Sequence, residues 1–223
     1  MKRRLTFTFD NGPWPTATEQ VLDFLAARSI KASFFVVGQQ LAASGCHALA
    51  ERARAEGHWI GNHTLTHGTP LGLDGVEARV EREIGETQAL LGPLAHARKF
   101  FRPNGAGSLG PHLLSSAAVN YLTRDRYTVI LWNNVPGDWL VPEVDWVSNA
   151  LRYLEESEWS TLVLHDKPIA GKMDTLARFY DELMRRDIEV VQEFPPSCIL
   201  IESGKPRDDL AAFVTGLPGQ QAD

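Results

Sequence analysis

Leu5-Thr6-Phe7-Thr8-Phe9-Asp10-Asn11-Gly12-Pro13 alternates large apolar side chains with threonine, then stops at two polar residues and a Gly-Pro pair. Period-two alternation in β-favouring residues reads as a strand, and Gly-Pro reads as the loop that ends it. Just downstream, Thr16 or Thr18 is placed to cap a helix that carries Val21, Leu22, Leu25 and Ala26 at helical spacing. Ala32-Ser33-Phe34-Phe35-Val36-Val37 then forms a second strand, closed by Gly38. The alternation continues, with strands predicted at 58–61, 99–102, 127–132, 161–165 and 189–191 and helices at 48–56, 76–91, 113–118, 144–155 and 175–186. Repeated units of this kind give parallel strands under a helical layer. About seven units are too many for a simple open sheet and too few for a regular eight-unit barrel, so the predicted fold is α/β, an irregular (β/α)7-type barrel in a single domain. The predicted domain occupies 1–202. Residues 203–223, rich in Gly and Pro, read as a loosely held C-terminal extension with one short helical piece at 210–214.

Composition narrows the function classes. The 223 residues carry 22 Lys+Arg against 28 Asp+Glu, a formal charge of −6, with no basic run, which argues against nucleic acid or an anionic membrane as partner. No apolar stretch is long enough to span a bilayer, and no apolar leader precedes the first strand, so a cytoplasmic enzyme is expected. Cys46 and Cys198 are too few for a disulfide scaffold and read as buried small hydrophobes or free thiols.

Asp10, His63, Arg102, Asp138 and His165 each end or follow a predicted strand, the rim where parallel α/β folds keep their active sites. His63-Thr64-Leu65-Thr66-His67 sets two imidazoles four residues apart, which lets both face one metal ion if the chain between them makes a helical turn. Thr64 stands where an H-E-x-x-H metalloprotease has its glutamate, so a base must come from elsewhere. Taken singly, each feature has a plain structural reading. The histidines read as packing or surface residues, Asp10-Asn11-Gly12-Pro13 as a turn, Arg102 as an ion-pair partner, Asp138 as a cap and Trp139 as core. Gly105-Ala106-Gly107-Ser108-Leu109-Gly110 satisfies G-x-G-x-x-G, but it lies behind Arg102-Pro103 without a clear βαβ unit, so it is not read as a dinucleotide site.

The order of the motifs tells more than any one of them. Thr8-Phe9-Asp10-Asn11-Gly12-Pro13, His63-Thr64-Leu65-Thr66-His67, Phe101-Arg102-Pro103, Asp138-Trp139 and Leu162-Val163-Leu164-His165 follow one another as in the NodB-homology polysaccharide deacetylases, carbohydrate esterase family four, which the chain resembles from residue 5 to about 190. The resemblance implies a metal-dependent hydrolase that removes N-acetyl, or O-acetyl, groups from amino-sugar polymers or oligosaccharides such as chitin or peptidoglycan. It implies Asp10 as base, His165 as general acid, Arg102 as partner of the base and Asp138 as partner of the acid. Trp139, Leu164, Gly105 and Pro103 would contact an N-acetylated carbohydrate. Asn11, His63 and His67 would hold zinc or another divalent transition metal. Such roles suit amide hydrolysis, which needs a Lewis acid, a base and an acid at one point.

Two departures stand out. Asn11 replaces the family's metal-ligating aspartate, which removes one negative charge from the donor set and implies weaker binding. Gly105 replaces the aromatic residue of the third motif, so the groove is expected to lose a ring there. Two other readings follow from these departures. One is a related hydrolase of small or cyclic amides, metal-free in some members, and the other is a non-catalytic glycan-binding module on a degenerate deacetylase fold.

Overall fold

A computed structural model describes residues 2–216. Its strands are β1 (Arg4–Asp10), β2 (Ser33–Val36), β3 (Trp59–Asn62), β4 (Phe100–Phe101), β5 (Leu114–Ser115), β6 (Thr128–Ile130), β7 (Trp159–His165), β8 (Glu189–Val191), β9 (Ile199–Glu202), β10 (Lys205–Pro206) and β11 (Val214–Thr215). One curled sheet runs β10-β9-β6-β4-β3-β2-β1-β7, with β8 also on β1. From β6 through β7 the neighbours are parallel, and an isolated parallel bridge from Asn134 to Leu162 ties the chain beyond β6 to β7. The result is the irregular β/α barrel that the strand–helix alternation predicts, with all seven expected strands present.

The opening strand shows why this sequence makes this fold. Leu5, Phe7 and Phe9 belong to the main core between sheet and helices, packed with Val21, Leu22, Trp146 and Phe179. Because successive side chains of a strand alternate faces, Thr6, Thr8 and Asp10 turn to the barrel interior. That interior is polar near the top, where Arg102 sits fully buried, and aromatic lower down, where Phe35, Phe100, Ile130 and Phe194 cluster. Each large apolar side chain taken from water contributes about 1.5–3 kcal/mol, so the outward face of β1 anchors the strand while its inward face is left for chemistry.

Several local expectations change. The helix expected at 113–118 is Ser116–Arg124, because Ser115 caps it by accepting from the Ala118 N–H, and Leu114–Ser115 instead pairs with β11. Neither Thr16 nor Thr18 caps the helix Ala17–Ala27 with its side chain. Thr18 accepts from the Trp14 N–H and donates to Asp166. In the expected extension, Val214 is buried and Leu210 and Phe213 pack on the second core cluster. Pro218 and Gly219 lie outside the described residues. Both cysteines are free and buried. Among the described residues no helix is long and apolar enough to cross a membrane.

Candidate active site

Asp10 and His165 end neighbouring parallel strands and are direct register partners, so their Cα atoms stand roughly 4.8 Å apart across the ladder. Both line one cavity of about 430 Å³ at the C-terminal ends of the strands, together with Asn11, His63 and His67. The polar residues that the sequence scatters over more than 150 positions thus meet in one place.

Asp10 is held from below. Arg102 Nη1 donates to Asp10 Oδ1 at 2.8 Å and to Thr8 Oγ1 at 2.7 Å. Its other nitrogens reach the carbonyls of Ile130 and Leu131, each at 3.3 Å, and its guanidinium carbon lies 3.9 Å over the Phe35 ring. A planar cation with five fixed donors satisfies all of these acceptors at once, as a lysine could not. Asp10 Oδ2, the oxygen Arg102 leaves free, lies 3.7 Å from His63 Nε2.

His165 is held from the side. Asp138 Oδ1 lies 3.0 Å from His165 Nδ1, and its Oδ2 accepts the His165 backbone N–H at 2.8 Å. A carboxylate accepts, so Nδ1 carries a proton and Nε2 is left for the cavity. Burial lowers the pKa of His165, but the hydrogen bond and charge of Asp138, with Asp10 and Asp166 adding to them, outweigh it and leave the imidazole raised above its ordinary 6.5. His63 goes the other way, pushed down to about 4, chiefly by burial and against the pull of Asp10. Metal-free protein titrated by NMR is therefore expected to show His63 inflecting near pH 4 and His165 above pH 6.5. Two inflections near 6.5 would contradict these environments. By linkage, the Asp138–His165 pair stabilises the fold fully below the unfolded imidazole value and loses that contribution as pH rises through the raised one.

The remaining cavity wall is mostly apolar, with Trp14, Trp132, Val135, Trp139, Val163 and Pro168, and carries one charged side chain, Lys167, whose Nζ lies 4.7 Å over the Trp14 ring. Trp139 meets the His165 ring edge-on, with centroids 4.8 Å apart. Pro103 and Gly105 line the cavity. Leu164 does not, and this corrects the sequence reading. It is fully buried in the core against the helices, because β7 turns Val163 and His165 inward and Leu162 and Leu164 outward. Gly105 itself carries no ring. A Cβ there would collide with Leu113 and come 3.1 Å from Trp132 Cη2, and Trp132, from beyond β6, gives the cavity an aromatic wall beside it.

Two buried carboxylates went unread in the sequence. Asp166, directly after His165, accepts from the Thr18 hydroxyl, and burial pushes its pKa up to about 7. A Cβ on Gly12 would overlap its carboxylate, so the loop after Asp10 needs glycine at that position. Glu83 holds the His63–His67 segment through Leu65 and Thr66. Its signal was a charge on the apolar stripe made by Val80, Ile84, Thr87 and Leu91, all buried.

Whether a metal ion suits this cavity can be judged from the donors. Among the described residues no group of three or more His, Cys, Asp and Glu converges, so any third donor is of another kind. Asn11 Oδ1 is buried without a hydrogen-bond partner, and Asn11 lines the cavity. His63 Nδ1 lies 2.8 Å from the Arg102 carbonyl, which can only accept. Nδ1 is therefore protonated, and Nε2 presents a lone pair, as a ligating histidine requires. His67 stacks at a tilt 5.0 Å from His63. Asn11 takes φ 71°, a left-handed conformation that asparagine tolerates better than most side chains. A carboxamide oxygen and two neutral imidazoles therefore fit a borderline divalent ion.

Fold and site define an irregular β/α barrel with an Asp–Arg pair and a His–Asp pair facing each other across a strand-end cavity. A family model described as polysaccharide deacetylase matches residues 1–121, and the chain belongs to that family. It is 34% identical over 146 residues to a chitooligosaccharide deacetylase of Rhizobium leguminosarum bv. phaseoli, covering 65% of this chain and 60% of that protein. It is 29% identical over 195 residues to a peptidoglycan-N-acetylglucosamine deacetylase of Bacillus cereus, covering 85% of this chain and 66% of that protein. This chain thus spans less than two thirds of the length of these relatives. A solved peptidoglycan N-acetylglucosamine deacetylase in complex with 4-naphthalen-1-yl-N-oxidanyl-benzamide superposes with TM-score 0.70 at 25% identity, covering 92% of this chain and 91% of that one.

Proposed function

We propose that this protein is a divalent-metal-dependent hydrolase that removes N-acetyl groups from glycans containing N-acetylglucosamine, and that residues 1–202 carry the activity. The observation that supports this best is the pairing of Asp10 with His165 across one cavity, each with its own buried charged partner. A glycan-binding module has no need of both pairs. The relatives named for chitooligosaccharide and for peptidoglycan substrates share N-acetylglucosamine, and that shared sugar supports the substrate class.

A divalent ion held by Asn11, His63 and His67 would supply Lewis acidity, polarising the acetyl carbonyl and acidifying a water. Asp10 Oδ2 takes a proton from the attacking water as its oxygen bonds to the carbonyl carbon, while Arg102 keeps Oδ1 in place. His165 Nε2 delivers a proton to the amide nitrogen as the C–N bond breaks, giving acetate and a free amine. Asp138 keeps the ring protonated at Nδ1 and favours the imidazolium that can make this transfer. The three tryptophans offer flat apolar area to sugar faces and exclude water from the reacting atoms.

Acetate release from an N-acetylglucosamine oligomer tests the reading. Release is expected with zinc, loss in chelator, and recovery on adding zinc back; release that ignores chelator, or none under any condition, would overturn it. Asn11→Asp is expected to tighten zinc binding by about tenfold or more, since it adds a full negative charge to two neutral imidazoles. Equilibrium dialysis showing no gain would remove Asn11 from the donor set. Asp138→Asn should lower kcat and move the alkaline limb of the pH–rate profile to lower pH, because the raised pKa of His165 depends on that carboxylate. An unmoved limb would exclude His165 as the acid.

A further inference from the structure

The segment between the two histidines is not the helical turn that their spacing invites. It is irregular, and Thr64 at φ 67° and His67 at φ 51° both take left-handed backbone. A β-branched residue in that region persists only where its surroundings over-determine it. Asn62 Oδ1 accepts the Thr64 N–H at 3.0 Å, and Thr64 Oγ1 accepts the His67 N–H at 3.1 Å. The Gly38 and Gln39 N–H groups donate to the carbonyls of Thr64 at 3.0 Å and Leu65 at 2.9 Å, and one further side chain reaches the segment from outside. Glu83 Oε2 accepts the backbone N–H of Leu65 at 3.1 Å and of Thr66 at 2.9 Å, and the Thr66 hydroxyl lies 3.0 and 3.1 Å from its two oxygens.

Glu83 is itself presented in an unusual way. The helix from Glu77 to Leu91 widens into a π-helical segment at Glu81–Glu86, a rare form that tends to occur at functional sites. Two of its carbonyls bond outside the helical ladder. The Thr87 hydroxyl donates to the Glu83 carbonyl at 3.1 Å, and Asn62 Nδ2 donates to the Ile84 carbonyl at 2.8 Å. Asn62 therefore grips the π turn with one end of its amide and the histidine loop with the other, while Glu83 reaches the loop from the turn. Both residues are buried.

We infer that Glu83 is a positioning residue for the cation site: its carboxylate fixes Leu65-Thr66 so that the flanking imidazoles of His63 and His67 turn into the cavity beside Asn11. The inference rests on the metal reading of the proposed function and adds a determinant outside the motifs. Its content is geometric, which conservative variants can separate from charge. Glu83→Gln keeps the reach: its amide oxygen can accept the two backbone N–H groups, and its NH2 can donate to Thr66 Oγ1. Glu83→Asp keeps the charge and withdraws the carboxylate by one methylene.

Zinc binding by calorimetry is expected to stay within about threefold of native in Glu83→Gln and to fall about 10- to 100-fold in Glu83→Asp, the range seen when partners of metal ligands are removed. The reverse order would overturn the inference in favour of a charge effect, and native affinity in both would overturn it outright. Should Glu83→Asp not fold, Thr66→Val removes the hydroxyl's two contacts with Glu83, along with the Gly68 N–H bond that the hydroxyl accepts, while leaving the charge, and a loss of about threefold is expected; no loss overturns the inference. Native protein that binds no zinc even at millimolar concentration would bring down the metal reading instead. The imidazole NMR signals of His63 and His67 in metal-free protein then decide the matter. Displacement in Glu83→Asp but not in Glu83→Gln supports the role of Glu83, and any other pattern overturns it.

Discussion

Asp10→Asn is expected to lower kcat for acetate release by about 10³-fold or more, the upper part of the range for removing a general base. The side chain keeps its shape and its oxygen toward Arg102, so ligand affinity should change little while turnover collapses. His165→Ala gives the complementary result. Its proton is needed only where the leaving group is a poor one, as an amine is. With an acetyl ester of a nitrophenol, whose anion leaves unaided, His165→Ala should keep most of its activity while failing on the N-acetyl sugar. Asp10→Asn should fail on both, because water must be deprotonated in either case. Full loss of ester hydrolysis in His165→Ala would show that the ring activates water instead, and would reverse the two roles. Deacetylation surviving in both variants would remove the proposed chemistry altogether.

Arg102→Met is expected to produce the largest loss of stability of any single substitution near the site. Arg102 has no exposed surface and serves four acceptors: Asp10, Thr8 and the carbonyls of Ile130 and Leu131. Methionine matches the length of the stem but leaves Asp10 as a buried carboxylate without its counter-charge. Breaking a buried pair from one side costs about 3–5 kcal/mol, which for a chain of this size is roughly 10 °C in the midpoint of thermal unfolding. The double variant Arg102→Met/Asp10→Asn removes both charges and should recover part of the loss, so the cycle is non-additive. Strictly additive losses would mean that Arg102 acts through packing against Phe35 and not through the pair.

The residues that carry the proposed chemistry were legible because their motifs follow one another in the order of the family that the chain resembles and fall at predicted strand ends. The alternation of Leu5–Asp10 marked a strand, and Asp10 and His165 were placed with the other polar residues at strand ends, which parallel strands bring to one rim. Partners contributed by side chains remote in sequence were not legible. Nothing local to Glu83 says that it reaches Leu65 and Thr66, and nothing local to Gly105 says that Leu113 and Trp132 fill the space a ring would have taken. Leu164 was misassigned for a simpler reason. A motif names consecutive residues, but a strand shows only alternate ones to a given side, and here Val163 and His165 face the cavity.

The amino-acid sequence by itself determined the class of fold, through the alternation of strand and helix periods, and the order of its motifs, through their resemblance to the deacetylase family, pointed to the residues proposed as base, acid and their two partners. Only the tertiary structure decided how the histidine segment runs, which aromatic rings wall the cavity, and that the carboxamide oxygen of Asn11 lies buried without a partner. Periodicity is a property of neighbours along the chain, and it survives in the sequence. A non-helical loop with two left-handed residues, held by a carboxylate from a π-helical turn, depends on contacts between distant segments that exist only once the barrel has formed.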